Sequence, residues 1–275
     1  MQKLFITDLD HTFLHSTQTV SQFSKDIWNE KTKHAMLSIA TARSFAKTND
    51  FLKDLKLNFP LITLDGAMVA NREKKLIDLN VLDKEIGDSI IEESRKFDIF
   101  PYVIALNDHK NLDETFEIPS QLNYYQERLI KESYTMDKRL SYVKNIRGAK
   151  DTLKLVYMGE EKVLRPLAEH LLKVFSNSIE IKLAPENYMN CYFLTILHPL
   201  SDKAHALGKV HEYLNVNTQH TTVFGDGLND IGMFKLAGTA VAVNNALDAV
   251  KIEADIVLEE NNDQDAVAKY LQKNI

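Results

Sequence analysis

Short, largely apolar runs that each stop at a polar or glycine residue recur along this chain, and they constrain its fold more than any other feature. Leu4-Phe5-Ile6-Thr7 ends at Asp8, Leu37-Ser38-Ile39-Ala40 at Thr41, and Leu61-Ile62-Thr63-Leu64 at Asp65-Gly66. Thr222-Val223-Phe224 ends at Gly225-Asp226-Gly227, and Ala240-Val241-Ala242-Val243 and Ile256-Val257-Leu258 follow. Unbroken runs of this length suit strands covered on both faces, as in a parallel sheet. Helical stripes lie between them: Ala206, Leu207, Val210, Tyr213 and Leu214, then Val267, Tyr270 and Leu271. Strand and helix in alternation predict an α/β fold built on a doubly wound parallel sheet. Ligands of such sheets gather at the carboxyl ends of the strands. Asp8, Asp10, Thr41, Asp65 and Asp226 all sit just past a strand's end, which makes them the first candidates for function.

The middle of the chain reads differently. Strand-like pieces (Tyr102–Ala105, Leu153–Tyr157, Ile179–Leu183) and helix-like pieces (Lys84–Lys96, Glu161–Phe175) occur there in looser order, with Pro166 placed near the first turn of the second helix. An inserted α+β domain over residues 80–190 is expected, leaving 1–79 and 191–275 as one discontinuous α/β core. At 275 residues the chain is long enough for two domains without a disulfide or metal staple. The single cysteine, Cys191, excludes an intramolecular disulfide and fits a reducing, cytoplasmic setting. The formal net charge of −6 argues against nucleic acid or an anionic membrane as partner. No apolar run approaches the ~20 residues a bilayer helix requires, and Asp8 and Asp10 come too early for a secretory signal.

Four pieces carry chemistry: Asp8-Leu9-Asp10-His11-Thr12, Thr41-Ala42-Arg43, Lys203, and Gly225-Asp226-Gly227-Leu228-Asn229-Asp230. Phosphoryl transfer needs a nucleophile, an acid for the leaving oxygen, and cations against the charge on the transferring group. Asp8 can attack phosphorus, since carboxylates form aspartyl-phosphates. Asp10 can protonate the leaving group and then deprotonate water. Two carboxylates so close repel unless a divalent cation holds them or one keeps a proton. Asp226 adds a third, and a hard-oxygen set favours magnesium. Lys203 would offset phosphate charge and restrain Asp8. Thr41, Asn229 and the backbone amides of Leu9 and Ala42 would donate to phosphate oxygens.

This ordered set resembles the haloacid dehalogenase superfamily of phosphatases, whose motifs are an Asp-x-Asp pair, a Thr or Ser, a Lys and a final acidic cluster. The long stretch between Thr41 and Lys203, and the final Gly-Asp-x-x-Asn-Asp pattern, are similar to the Cof-type subgroup (subfamily IIB). Leu64-Asp65-Gly66-Ala67, Pro199-Leu200-Ser201-Asp202 and Ala242-Val243-Asn244-Asn245-Ala246 are further matches. The resemblance implies a Rossmann-like core with a substrate-selecting cap, and hydrolysis of small phosphorylated metabolites such as sugar phosphates. It implies magnesium on Asp8, on Asp226 and on the main-chain carbonyl of Asp10, with Asp230 holding metal-bound water. His11, Asp65 and Gly66 are candidate substrate contacts. His11 and Ala42 stand where glycine is common and Asp65 where asparagine is usual, departures that bear on substrate fit and pH optimum rather than on the reaction class.

Singly, each motif has a plainer reading: an acidic pair caps helices, Gly-Asp-Gly is a turn, Thr41 is an N-cap, and a lone lysine is solvated. Their joint occurrence in order, each at a strand end, favours the phosphatase reading. Rivals are a phosphomutase on the same scaffold, a receiver-like signalling protein, and a binder of phosphorylated ligands without turnover. Between Arg128 and Lys154 basic residues outnumber acidic ones, making Arg139 and Arg147 candidates for contact with an anionic substrate. A solvated face is the simpler account. Trp28 and Phe23 are expected to pack a helix on the sheet, and Cys191 to be a buried, inert thiol.

Overall fold

The apolar runs near the N-terminus and after residue 220 form strands because their side chains fill both faces of a sheet. The structure, a computed structural model, describes residues 3–186 and 188–275. It divides into two units, residues 1–79 with 202–275, and residues 80–201. In the first, β1 (Leu4–Thr7) leads through a tight turn to α1 (Gln22–Lys31), β2 (Met36–Ile39) and α2 (Phe45–Phe51). There follow β3 (Leu61–Thr63), β4 (Met68–Ala70) and β5 (Leu76–Leu79). The second unit begins with α3 (Lys84–Arg95), β6 (Tyr102–Asp108), β7 (Asp113–Pro119), α4 (Tyr124–Leu129) and β8 (Leu140–Val143). It ends with β9 (Thr152–Gly159), α5 (Glu161–Phe175), β10 (Glu180–Glu186) and β11 (Cys191–Leu197). The chain re-enters the first unit at α6 (Lys203–Leu214), β12 (Thr221–Gly225), α7 (Ile231–Leu236) and β13 (Thr239–Ala242). α8 (Asp248–Ile252), β14 (Ile256–Val257) and α9 (Ala266–Asn274) complete it.

The first unit carries a five-stranded parallel sheet in the order β14-β13-β12-β1-β2. β1 lies between β12 and β2, with Leu4 opposite both Thr221 and Met36. Leu4, Ile6, Leu37 and Ile39 are wholly buried, as strands covered on both faces require. β14 departs from that expectation: it is the edge strand, and Ile256 and Val257 are 37% and 46% exposed. α1 starts on Ser21, whose side chain accepts the Ser24 amide, and it buries Trp28 against Phe13. Phe23, one residue past the start of the same helix, faces outward and is half-exposed, so only Trp28 packs as expected.

β3 also departs from the parallel-sheet expectation. It touches β2 through a single parallel bridge, Ala40 to Ile62, and otherwise belongs to an antiparallel sheet, β3-β4-β5. The cause is local. Leu64, Asp65 and Gly66 all have positive φ (53°, 60° and 99°), and this left-handed bend returns the chain onto β3.

The second unit is a six-stranded sheet, β10-β11-β9-β6-β7-β8, antiparallel apart from β7 with β8. Its core joins Ile90 and Ile91 of α3 and Leu164, Leu167 and Leu171 of α5 to Val103, Leu155, Tyr157, Leu194 and Ile196 of the sheet. Here the domain boundary expected at residue 190 is corrected. Cys191 pairs with Glu186 and Leu194 with Tyr157, so β11 is bound on both sides by strands of the second unit, which extends to residue 201. The two candidate arginines of the basic stretch are paired within the unit: Arg139 donates to Glu114 (2.9 Å) and Asp137 (2.6 Å), and Arg147 to Glu92 (2.8 Å). Cys191 is buried, and that burial pushes its thiol up to about 11, consistent with an inert role. Among the described residues no helix is long and apolar enough to cross a membrane.

Candidate active site

The carboxyl ends of β1, β2 and β12 and the start of α6 bring the ordered motifs together in the first unit. The Asp8 amide donates to the Phe224 carbonyl (3.0 Å), extending the parallel ladder by one residue and delivering the Asp8 carboxylate at the carboxyl end of the sheet. The chain then turns sharply. The Leu14 amide closes onto the Leu9 carbonyl (2.8 Å), and His11 takes a left-handed φ of 59°. That conformation is one that glycine adopts most easily. Asn245 holds the turn by donating to the His11 carbonyl (2.7 Å), and the Thr12 hydroxyl donates to Asp226 Oδ1 (2.7 Å).

Lys203 opens α6 behind its N-cap Asp202, which accepts the His205 amide (2.9 Å). Its Nζ is buried between Asp8 Oδ1 (2.6 Å) and Asp230 Oδ1 (2.7 Å). Gly66 is needed here: a Cβ on it would lie 2.2 Å from the Asp202 carbonyl oxygen. Asp230 Oδ2 in turn accepts the amides of Asp226 (3.1 Å) and Gly227 (3.0 Å), shaping the loop after β12. A Cβ on Gly225 would lie 2.5 Å from that same oxygen. Burial alone would lower the pKa of Lys203. The two carboxylates outweigh it and hold the ammonium well above the usual lysine range.

Negative charge is in excess. Burial first, then Asp230, Asp226 and Asp10, raise Asp8 well above the usual carboxylate range, although Lys203 opposes this. Burial and Asp230 push Asp226 up to about 7 against the Thr12 hydrogen bond and Lys203. Asp8, Asp226 and Asp230 offer oxygens that all lie within 4.8 Å of one another. Both oxygens of Asp230 are engaged by Lys203 and the loop amides. Asp8 and Asp226 each have an oxygen with no donor among the described residues. A compact set of hard oxygens short of positive charge fits a divalent cation.

Thr41, wholly buried, follows β2. Its Oγ1 accepts the Arg43 amide (3.1 Å), which leaves its own O–H as a donor. Asn229 donates through Nδ2 to Asp65 Oδ1 (3.2 Å), bringing together two candidates that lie far apart in sequence. Both oxygens of Asp10 accept from the Arg43 guanidinium, at 2.8 and 2.5 Å. Three contributors have no role legible in the sequence: Arg43, which stands beside Thr41, Thr12, whose hydroxyl bonds a site carboxylate, and Asn245, which lies in the family-like Ala242–Ala246 stretch.

The haloacid dehalogenase-like hydrolase family profile matches residues 5–271. A 5-amino-6-(5-phospho-D-ribitylamino)uracil phosphatase of Bacillus subtilis, YcsE, is 26% identical over 271 residues, 98% of this chain and 94% of that one. Among solved structures, TM0651 from Thermotoga maritima superposes with a TM-score of 0.82 at 24% identity, covering 100% of this chain and 98% of that one. The subclass IIB sugar phosphatase BT4131 superposes with a TM-score of 0.76 at 19% identity, covering 99% and 98%. At these identities the structural likeness is one of fold. With the family profile spanning nearly the whole length, the chain belongs to the haloacid dehalogenase-like hydrolases.

Proposed function

We propose that this hydrolase is a magnesium-dependent phosphatase of small phosphorylated metabolites, working through an aspartyl-phosphate on Asp8. The observation that carries the reading is the buried Lys203 ammonium 2.6 Å from Asp8, which orients a carboxylate at the end of β1. In the first half-reaction an Asp8 oxygen attacks phosphorus, the bond to the ester oxygen breaks, and Asp10 gives a proton to the departing alcohol. In the second, water attacks phosphorus, its proton passes to Asp10, and the bond to Asp8 breaks to release phosphate. Thr41 Oγ1, Asn229 and the amides of Leu9 and Ala42 donate to the phosphoryl oxygens, and Lys203 offsets their charge. Asp230 holds Lys203 and the loop that carries Asp226 in place. Magnesium on Asp8, Asp226 and the Asp10 carbonyl, when bound, supplies charge compensation for the transferring group.

Sugar phosphates and similar compounds are the proposed substrates. The B. subtilis relative is named for a phosphorylated ribityl compound, and a fold neighbour is titled a sugar phosphatase. The second unit is the proposed cap that selects the leaving group, with His11, Asp65 and Gly66 as substrate contacts from the first.

The test is phosphate release across a panel of phosphorylated metabolites, with magnesium or with chelator, for the parent protein and Asp8→Asn. Magnesium-dependent turnover that falls by at least about 10³-fold in the variant is expected, since a covalent nucleophile has no substitute. Asp8→Asn turnover near the parent rate would overturn the mechanism.

A further inference from the structure

We propose that Arg43 is a positioning residue that sets the carboxylate plane of the general acid, Asp10. This rests on the reading of Asp10 as the acid. The guanidinium grips Asp10 with two parallel bonds, Nε to Oδ2 (2.8 Å) and Nη2 to Oδ1 (2.5 Å). Such a fork fixes the orientation of a carboxylate, which a single ammonium contact does not. The arginine is itself held by neighbouring groups. Its Nη2 also donates to Gln18 Oε1 (3.1 Å), and its guanidinium carbon lies 4.1 Å from the centre of the Phe51 ring. Its amide donates to Thr41 Oγ1, and its carbonyl accepts the Leu64 amide (2.9 Å). The backbone segment that presents the phosphate-binding hydroxyl therefore also carries the group that aims the acid. The plane of the Asp10 carboxylate is thus set by Arg43, while Lys203 serves Asp8 and Asp230.

A group that aims a proton matters in proportion to how much the leaving oxygen needs that proton. The step affected is rupture of the phosphorus–ester oxygen bond as Asp8 bonds phosphorus, with the Asp10 proton passing to the departing oxygen. An alkoxide departs poorly without it, and 4-nitrophenolate departs readily. kcat/KM reports steps through this transfer, so the later role of Asp10 as base does not enter.

The experiment compares kcat/KM for a sugar phosphate and for 4-nitrophenyl phosphate in Arg43→Ala, Arg43→Lys and Asp10→Ala, singly and combined. Arg43→Ala is expected to lower the sugar phosphate value by about 10²-fold, the scale of general acid catalysis, and the 4-nitrophenyl value by less than about tenfold. Arg43→Lys, which lacks the fork, should not restore it, whereas millimolar guanidinium added to Arg43→Ala should restore part. In the Asp10→Ala background, loss of Arg43 should cost little more. Gln18→Leu, which leaves Asp10 and Arg43 intact, should give a smaller loss of the same leaving-group signature. It carries the test if Arg43→Ala fails to fold.

Equal losses on both substrates, or losses additive with Asp10→Ala, would overturn the positioning role. Asp8→Asn, assayed beside them, separates this from failure of the mechanism as a whole: activity there sinks the aspartyl-phosphate reading whatever Arg43 does.

Discussion

A lysine ammonium buried with two carboxylates has no water to replace its partners, so removing it strands both negative charges. Lys203 is in that position between Asp8 and Asp230. Lys203→Met keeps most of the side-chain length and is expected to destabilise the metal-free protein by about 3–5 kcal/mol, the usual penalty for breaking a buried ion pair from one side. Urea denaturation in chelator measures it, and a loss below about 1 kcal/mol would show that the carboxylates find other compensation. At this scale the candidate residues were legible because each follows an apolar run. Their partners were not. Nothing in the spacing of Asp10 and Arg43 shows that one grips the other, because that depends on the turn after Asp8 and on two side-chain rotamers.

Among the elements, α5 breaks a local rule. The helix has the expected bounds, Glu161–Phe175, and within them Pro166 lies past the first turn, in which a missing N–H would be harmless. Proline there removes a hydrogen bond to the Lys162 carbonyl and crowds it. The residue is solvent-exposed, so no packing compensates. Pro166→Ala should stabilise the protein by about 1–2 kcal/mol, the helix penalty less the entropy that proline removes from the unfolded chain. A melting temperature unchanged or lowered would mean the helix already accommodates the ring.

Strand identity was legible at this scale, and sheet membership was not. The run at Leu61 read like the run at Leu37, yet three left-handed residues after Thr63 turn β3 into a hairpin strand. The run at Cys191 read as core, yet it pairs with β9 and β10. Apolar composition says that a strand is buried, not which neighbours bury it.

For the whole molecule, the excess of carboxylates ties stability to pH and to metal. Asp226 stands near 7 in the folded state against an ordinary 3.8, and Asp8 is shifted the same way. A raised acid holds its proton in the fold over a range where the unfolded chain has lost it. The stabilising contribution is therefore full below about pH 4 and disappears as pH rises through about 7. Opposing this at the acid end, burial would raise Asp265, but hydrogen bonds from Ser21, Ser24 and His15 outweigh it and hold the carboxyl low. Its contribution disappears as pH falls below the usual range.

In chelator the protein should thus melt lower at pH 8 than at pH 5, by a few kcal/mol of stability or on the order of 5 °C. Saturating magnesium should raise the melting temperature more at pH 8, where protons no longer compete for Asp8 and Asp226. An equal magnesium shift at both pH values would contradict the assignment of these carboxylates as ligands.

The sequence by itself determined the α/β alternation and the order of polar residues at strand ends, because hydrophobic period and strand termination are properties of short segments. It likewise determined the family, because the motifs recur in that order at those ends. Tertiary structure alone decided that Lys203 meets Asp8 and Asp230, that Arg43 grips Asp10, and that β11 belongs to the second unit. Asp8 and Lys203 are separated by 195 residues, and contacts at such range depend on how strands pair and helices dock rather than on any local pattern. Charge, burial and hydrogen bonding then act between those partners, which is where the chemistry of the site resides.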